Sequence, residues 1–333
     1  MPDPDPDVLV AGESLIDFLP DSAGALADVA NFSRRAGGAP ANVAVALAHL
    51  GATPWFWTRV GEDPFGDHLA ETLSSFGVPD RFVERDSSAK TALAFVSHDE
   101  EADREFTFYR DGTADTRVEP GGVPDETLDS VEWVSVGGVM LSADPGRSAT
   151  LDLAERAADR DCTVVFDPNA RPELWRDADR DFADLVAEML DLADVVKATP
   201  EDLADAGFEG DSPEALARSV TEAGPAEASS NRTGPHTVLL TLGGTGAFAL
   251  STEAAPWGAG AASHSGYDVD PVDTTGAGDA FTAGAIAAFA EQGDGASLSE
   301  VIGFANAVAA VTTTAQGAMA ALPTREAVRE FRD

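Results

Sequence analysis

Two glycines and an alanine stand directly before an aspartate in VDTTGAGDAF (272–281), where an alanine-rich helical pattern begins. Glycine disfavours helix, so Gly276 and Gly278 at a helix start need a reason. A tight turn capped by Asp279 is one. An anion site is another: the first helical turn leaves N–H groups unpaired, the helix dipole makes that end positive, and small residues let a phosphate come close. Such a site holds the charge that develops as a phosphoryl group transfers. Asp279, in the same turn, is placed to take a proton from an attacking hydroxyl. Taken alone, the pattern reads as a helix cap more often than as a catalytic site.

Residues elsewhere shift that balance. In GGAPAN (37–42), Gly37 and Gly38 allow close backbone approach, and Asn42 in the first helical turn offers both a donor and an acceptor. Asp17, after the first strand, adds a carboxylate suited to sugar hydroxyls. TLGGTG (241–246) supplies a third glycine cluster. Each has a plain reading as a turn, a cap or a surface acid, but together they form a pattern. A dinucleotide-binding fold would need GxGxxG/A between a strand and a helix, with an acid roughly 20 residues on. GAGDAF fails, because Phe281 takes the third glycine's place. GTGAFA (244–249) has the spacing and follows the strand-like TVLLTL, yet AFALST after it reads as another strand. GxxxxGK[ST] is absent.

Composition removes other classes. The chain has 59 acidic and 21 basic residues, a net charge of −38, and Lys90 and Lys197 as its only lysines. Such a field repels nucleic acid and anionic membrane, so neither is expected as a partner. A chain this acidic and lysine-poor resembles those of salt-accumulating organisms, where molar salt screens the self-repulsion. Cys162, in CTVVF, reads as a core residue and excludes both a disulfide framework and a cysteine-built metal site. The five histidines include no HExxH. MPDPDPD lacks the basic and apolar regions of a signal peptide, and no run approaches the ~20 apolar residues of a membrane span. A cytoplasmic location is expected.

These candidates need elements to hold them. After a Pro-Asp tail expected to be disordered, DVLVAGE (7–13) reads as a buried strand. GGAPANVAVALAHLG (37–51) reads as a glycine turn and a helix ended by Gly51; PWFWTRVG (54–61) is a strand and DPFGDHLAETLSSFG (63–77) a helix. TALAFVSHDEEADREFTFYR (91–110) alternates around the polar turn HDEEAD, as an antiparallel hairpin does. From residue 131 short strands return at VEWVSVGG (131–138), CTVVFDP (162–168), DVVKAT (194–199) and TVLLTLGG (237–244), with helices such as SATLDLAERAADR (148–160) between them. AFALST (247–252) is followed by a weakly patterned stretch to Val272, then by helices at 280–293 and 298–314. EAGPAEASSNRTGPH (222–236) reads as a solvated loop. Alternating βα units predict an α/β fold whose mostly parallel central sheet is flanked by helices. One domain over 1–333 is expected. The segments near 14–36 and 88–117 are too short to be domains, and together read as a small β-sheet. Placed beyond the carboxyl ends of the main strands, where such folds bind ligands, it would act as a lid.

GGAPANVAVALAHLGATPWFWTRVGEDPFG (37–66) and DTTGAGDAFTAGAI (273–286) resemble the two signatures of the PfkB, or ribokinase-like, family of carbohydrate kinases. The likeness runs over nearly the whole chain. It implies an ATP-dependent sugar kinase with the ribokinase-like fold and a β-sheet lid. Asp279 then is the general base, and the N–H groups of Gly276, Ala277 and Gly278 form the anion hole. Asp17, Gly37, Gly38 and Asn42 match sugar-binding positions. Thr241, Gly243 and Gly246 match the nucleotide loop, Asn306 falls in the helix lining the adenine pocket, and Lys197 belongs to the ATP side. Mg²⁺ bridges the ATP phosphates, mostly through water. Asp273 matches a position linked to a monovalent cation, with K⁺ as the candidate.

One segment departs from the family. An NxxE motif, which orients magnesium-bound waters, is replaced in KATPEDL (197–203) by Thr199 and Asp202. Asp202 keeps the carboxylate with a shorter reach. Within the family, GGAPANVA, FTFYRDGTAD (106–115) and DPNARPELW (167–175) look most like fructokinases, the last two also like 2-keto-3-deoxygluconate kinases. Tyr109 and Arg110 on the hairpin and Arg171 after a strand end are expected to face the sugar. An acid sugar would need one of these arginines for its carboxylate. Ribose or a nucleoside is a third option, and a sugar-binding protein without catalysis a fourth, against which the intact GAGD argues. A homodimer through the lid is expected, since an open sheet edge invites a partner.

Overall fold

The computed structural model describes residues 6–22, 24–98, 104–176, 178–223 and 234–333. Its strands are β1 (Val8–Ala11), β2 (Leu15–Pro20), β3 (Phe32–Gly37), β4 (Trp55–Gly61), β5 (Val83–Asp86), β6 (Leu93–His98), β7 (Arg104–Tyr109), β8 (Trp133–Gly137), β9 (Thr163–Asp167), β10 (Val195–Ala198), β11 (Thr237–Thr241), β12 (Ala247–Ser251) and β13 (Gly260–His264). Its helices are α1 (Ala39–His49), α2 (Pro64–Ser75), α3 (Asp125–Leu128), α4 (Gly146–Ala158), α5 (Pro172–Trp175), α6 (Phe182–Leu190), α7 (Pro200–Asp205), α8 (Pro213–Glu222), α9 (Ala277–Gln292), α10 (Leu298–Thr313) and α11 (Arg325–Arg332).

β1 shows why the chain layers as it does. Val8 and Val10 enter one apolar core, Leu9 and Ala11 another. In β9, β10 and β11 the same split separates Val165 from Val164, Val195 from Val196, and Leu239 from Val238. Strands that are apolar on both faces need helices on both faces. α1, α9 and α10 cover the first core; α4, α6 and α8 cover the second. The sheet they sandwich runs β13-β12-β11-β10-β9-β8-β1-β4-β5, parallel except where β12 meets β11 and β13.

The two ends of that sheet carry no strand pattern in the sequence. β5 is VERD and β13 is GAASH, and neither carries the apolar run that marks a strand. Each exists by pairing with a stronger neighbour, and polar residues suit an edge that must not recruit another chain. α11 is a further element beyond those the sequence patterning leads one to expect. The expected tail, the HDEEAD turn and the insertion at 222–236 fall wholly or mostly outside the described residues.

β3-β2-β6-β7 form a second, separate sheet, with β2 and β6 parallel and the outer pairs antiparallel. Asp63 anchors it. One oxygen of Asp63 caps α2 through the N–H groups of Phe65 and Gly66, and the carboxylate also accepts from the backbone and hydroxyl of Thr91, just before β6. Desolvation works against this buried-side carboxylate, but the four donors win and hold its pKa below the usual value.

Candidate active site

The first turn of α9 decides the chemistry. Gly276 is left-handed at φ 79°, a conformation that glycine adopts without penalty, and no side chain caps the helix behind it. Ala277 turns its N–H back to the Thr274 carbonyl at 3.3 Å. The N–H groups of Gly276, Gly278 and Asp279 have no acceptor among the described residues. Of the expected trio, Gly276 and Gly278 keep bare donors at this positive helix end, Ala277 is partly engaged, and Asp279 adds a third. A methyl group at Gly278 would stand 3.2 Å from the Lys197 ammonium, so a full positive charge sits beside the helix dipole.

Asp279 lies in that turn and accepts a 2.7 Å hydrogen bond from the Asn42 amide. Burial pushes its pKa up to about 6, against the pull of the Asn42 bond and of Lys197. At neutral pH it is thus a carboxylate with a raised affinity for a proton, which is what a general base requires. Lys197 donates to Asp167 at 2.9 Å. Burial disfavours its charge, but Asp167, Asp202 and Asp279 outweigh burial and raise its pKa, so it stays an ammonium.

Around this turn opens a cavity of about 600 Å³. It lies beyond the carboxyl ends of β1, β9 and β10, beside the point where the chain switches from building the sheet outward through β4 to building it the other way through β8. Asp17 of β2, Gly38 and Asn42 at the start of α1, Arg171 after β9, and Lys197 at the end of β10 all line it, with Gly276, Gly278 and Asp279. The glycines of GGAPAN have specific tasks here. A Cβ at Gly37 would overlap the Asp17 carboxylate, and one at Gly38, whose φ is 106°, would strike the Glu13 carbonyl. Asp202 also lines the cavity, but its oxygens accept from the Thr199 N–H and hydroxyl and from the Ala170 N–H. Asp273 accepts from Thr275 and Gly317, and so ties the loop before α9 to residues after α10.

Several expected residues lie elsewhere. Tyr109 is corrected: it is 62% exposed, and its ring packs edge-on against Phe95 on the far face of the small sheet. Side chains alternate along β7, so Phe106 and Phe108 face the cavity instead. Arg110 is corrected as well. It does not line the cavity but is buried behind it, in an ion pair with Asp115 and donating to Val139 and Ser142. Thr241, Gly243 and Gly246 stand at the carboxyl end of β11 outside the cavity, and Asn306 bonds the Ile302 carbonyl of its own helix. Residues the sequence reading missed include Glu13, Phe106, Phe108, Asp167 and Asn169. For Phe106 and Phe108 the period-2 pattern was visible, though not which face turns inward. Arg171 stacks over Phe106 at 5.6 Å and donates to the Ala170 carbonyl.

The chain is similar to known sugar kinases along nearly its whole length. The pfkB family carbohydrate kinase profile matches residues 5–325. A fructokinase of Klebsiella pneumoniae is 35% identical over 323 residues, covering 96% of this chain and 97% of its own. A fructokinase of Xylella fastidiosa, solved with bound ATP, superposes with a TM-score of 0.80 at 30% identity, covering 97% of each chain. A double-mutant fructokinase of Vibrio cholerae O395, solved with fructose, ADP and potassium, gives a TM-score of 0.80 at 29% identity over 99% of each chain.

Proposed function

The chain belongs to the pfkB family of carbohydrate kinases, and from that premise we propose that it transfers the terminal phosphoryl group of ATP to a hydroxyl of fructose. One observation carries the reading: a proton-accepting Asp279, held by Asn42, shares a cavity with an uncapped helix end and a buried ammonium. The sugar lies between Asp17, Asn42 and the Phe106–Phe108 wall. Asp279 removes the hydroxyl proton as the oxygen attacks phosphorus, and the charge passing to the phosphoryl oxygens is met by the bare N–H groups and Lys197. The small sheet acts as the lid that keeps water out.

A Mg²⁺ carried with ATP would lower the charge of its phosphates. Among the described residues no cage of carboxylate, imidazole and thiol groups converges on a metal position. Asp202 would fit a contact through water, because Oδ1, which accepts only from Ala170, keeps a further lone pair and the residue faces the cavity beside Asp205. A K⁺ near Asp273 belongs to the same reading, and Thr241, Gly243, Gly246 and Asn306 would meet the nucleotide. The reaction is assigned to the cytoplasm, where ATP is supplied; no described helix is long and apolar enough to cross a membrane.

ADP release from ATP and Mg²⁺ in molar KCl, measured across fructose, 2-keto-3-deoxygluconate, ribose, glucose and adenosine, tests the substrate. Fructose is expected to turn over fastest. The Arg171 guanidinium in the cavity favours the keto-deoxy acid as the second reading, and a preference for that acid would replace fructose without touching Asp279's role.

The outer aromatic face around Phe95 and Tyr109 is assigned to a homodimer contact through the lid. Light scattering across a KCl series should find a dimer at molar salt. The melting temperature should fall on dilution, as the −38 charge loses its screening. A monomer throughout, or a flat melting temperature, would remove the corresponding half of this assignment.

A further inference from the structure

Glu13 ends the turn after β1 and is 3% exposed. Its Oε1 accepts the Ala39 N–H at 3.3 Å, while its Oε2 is buried and meets no donor among the described residues. An ionised oxygen buried without a partner is costly, so this atom calls for a proton or a water. Space for a water exists. Beneath the main cavity lies a smaller one with about 20 Å³ open to the centre of a water molecule, enough for one. Glu13 and Asp279 both line it, and Ser135 of β8, Asp167 of β9 and Asn169 supply further polar wall.

We propose that a water in this lower cavity connects Asp279 to Glu13, and that Glu13 receives the proton which the base takes from the sugar. The proposal rests on Asp279 being that base. As the new O–P bond forms, the hydroxyl proton passes to Asp279. Asp279 gives it to the water, and the water passes one of its own protons to Glu13. Asp279 is then a carboxylate again, the water is unchanged, and Glu13 is a neutral acid that returns its proton to solvent once the site opens.

Burial makes both carboxyls ready proton acceptors. Burial lifts Glu13 to about 7, with Arg110 opposing and Asp115 adding to the shift. Asp279 stands at about 6, where burial is offset by Asn42, Lys197 and Arg171 and reinforced by Asp167. Both groups thus take a proton more readily than an exposed carboxyl, and the cavity they share lets one pass between them. Asp167, the other carboxylate lining this floor, is held by the Lys197 ammonium, whereas the Glu13 Oε2 meets no donor among the described residues.

Glu13→Gln keeps the shape and removes the acceptor. It should lower kcat by about tenfold while leaving the fructose KM within about twofold, and raise the solvent deuterium effect on kcat as proton removal becomes limiting. The acid limb of the kcat profile should simplify from two ionisations to one. A purely structural role for Glu13 would move KM or the melting temperature and leave the deuterium effect alone. Ser135→Ala, which strips one polar wall from the same cavity, should shift the same readouts less, and carries the test if the glutamine variant does not fold. An unchanged kcat and deuterium effect in the variant tested would overturn the relay. Asp279→Asn separates the two ideas: lost turnover there with an unaffected Glu13→Gln sinks only the relay, whereas retained turnover sinks the base and the relay together.

Discussion

Asp279→Asn should lose between about 10² and 10⁴ of kcat while sugar and ATP still bind. The amide cannot accept the hydroxyl proton, yet its oxygen still accepts from Asn42, so the cavity keeps its form. A fall in kcat with little change in KM would place the loss in the chemical step. A rise in KM alone would contradict the assignment of Asp279 as base.

The same carboxyl predicts two pH effects of opposite consequence. The carboxylate is the active form, so kcat of the wild type should fall as pH drops below about 6. Stability runs the other way. The folded pKa, about 6, exceeds the reference value of 3.8, so the folded state binds this proton more tightly than the unfolded chain. Its contribution to stability is complete below pH 3.8 and is lost as pH rises through about 6. Asp279→Asn should therefore be more stable than wild type at pH 8, by roughly 1–3 kcal/mol given the partial access of this residue to the cavity, with the gain fading toward pH 4. Urea midpoints of both proteins at the two pH values measure it; equal midpoints at pH 8 would refute the raised affinity.

Arg110→Ala should destabilise the fold by about 3–5 kcal/mol, because it leaves Asp115 charged and buried. Arg110 is 6% exposed and Asp115 1% exposed, so water does not compensate either partner. The guanidinium also donates to the Val139 carbonyl and the Ser142 hydroxyl; both bonds would be lost, though the Ser142 hydroxyl still donates to Val139. The fructose KM of the folded fraction should change little. Arg110→Ala combined with Asp115→Ala should recover part of the loss, since no orphaned charge remains. A large rise in KM with normal urea resistance would mean that Arg110 reaches the sugar after all.

Arg110 also shows where sequence reasoning stops. FTFYR alternates visibly, and a hairpin strand is the correct conclusion from it. Alternation says that neighbours face opposite ways, not which way is inward. That choice falls to the pairing of β2 with β6, which sets Leu15 and Ala94 together with Phe106 and Phe108 and leaves Tyr109 outside. Arg110, one residue beyond the strand, meets Asp115 only because the chain turns back immediately. β5 and β13 are a similar case: polar pentads and tetrads become strands when a neighbour's edge is available.

From the sequence alone came the α/β layering, the uncapped helix start at Gly276 and the glycines of GGAPAN. Each depends on forces that act within a few residues: apolar periodicity, the φ freedom of glycine, and unpaired N–H groups in a first helical turn. Tertiary structure alone decided the hydrogen bond between Asn42 and Asp279, which are 237 residues apart, and the meeting of Lys197 with Asp167 beside Gly278. It also placed the Glu13 carboxyl over the same buried hole as the base. Such contacts follow from how packed layers bring distant strand ends together, and their pKa consequences follow from burial, which no local pattern encodes.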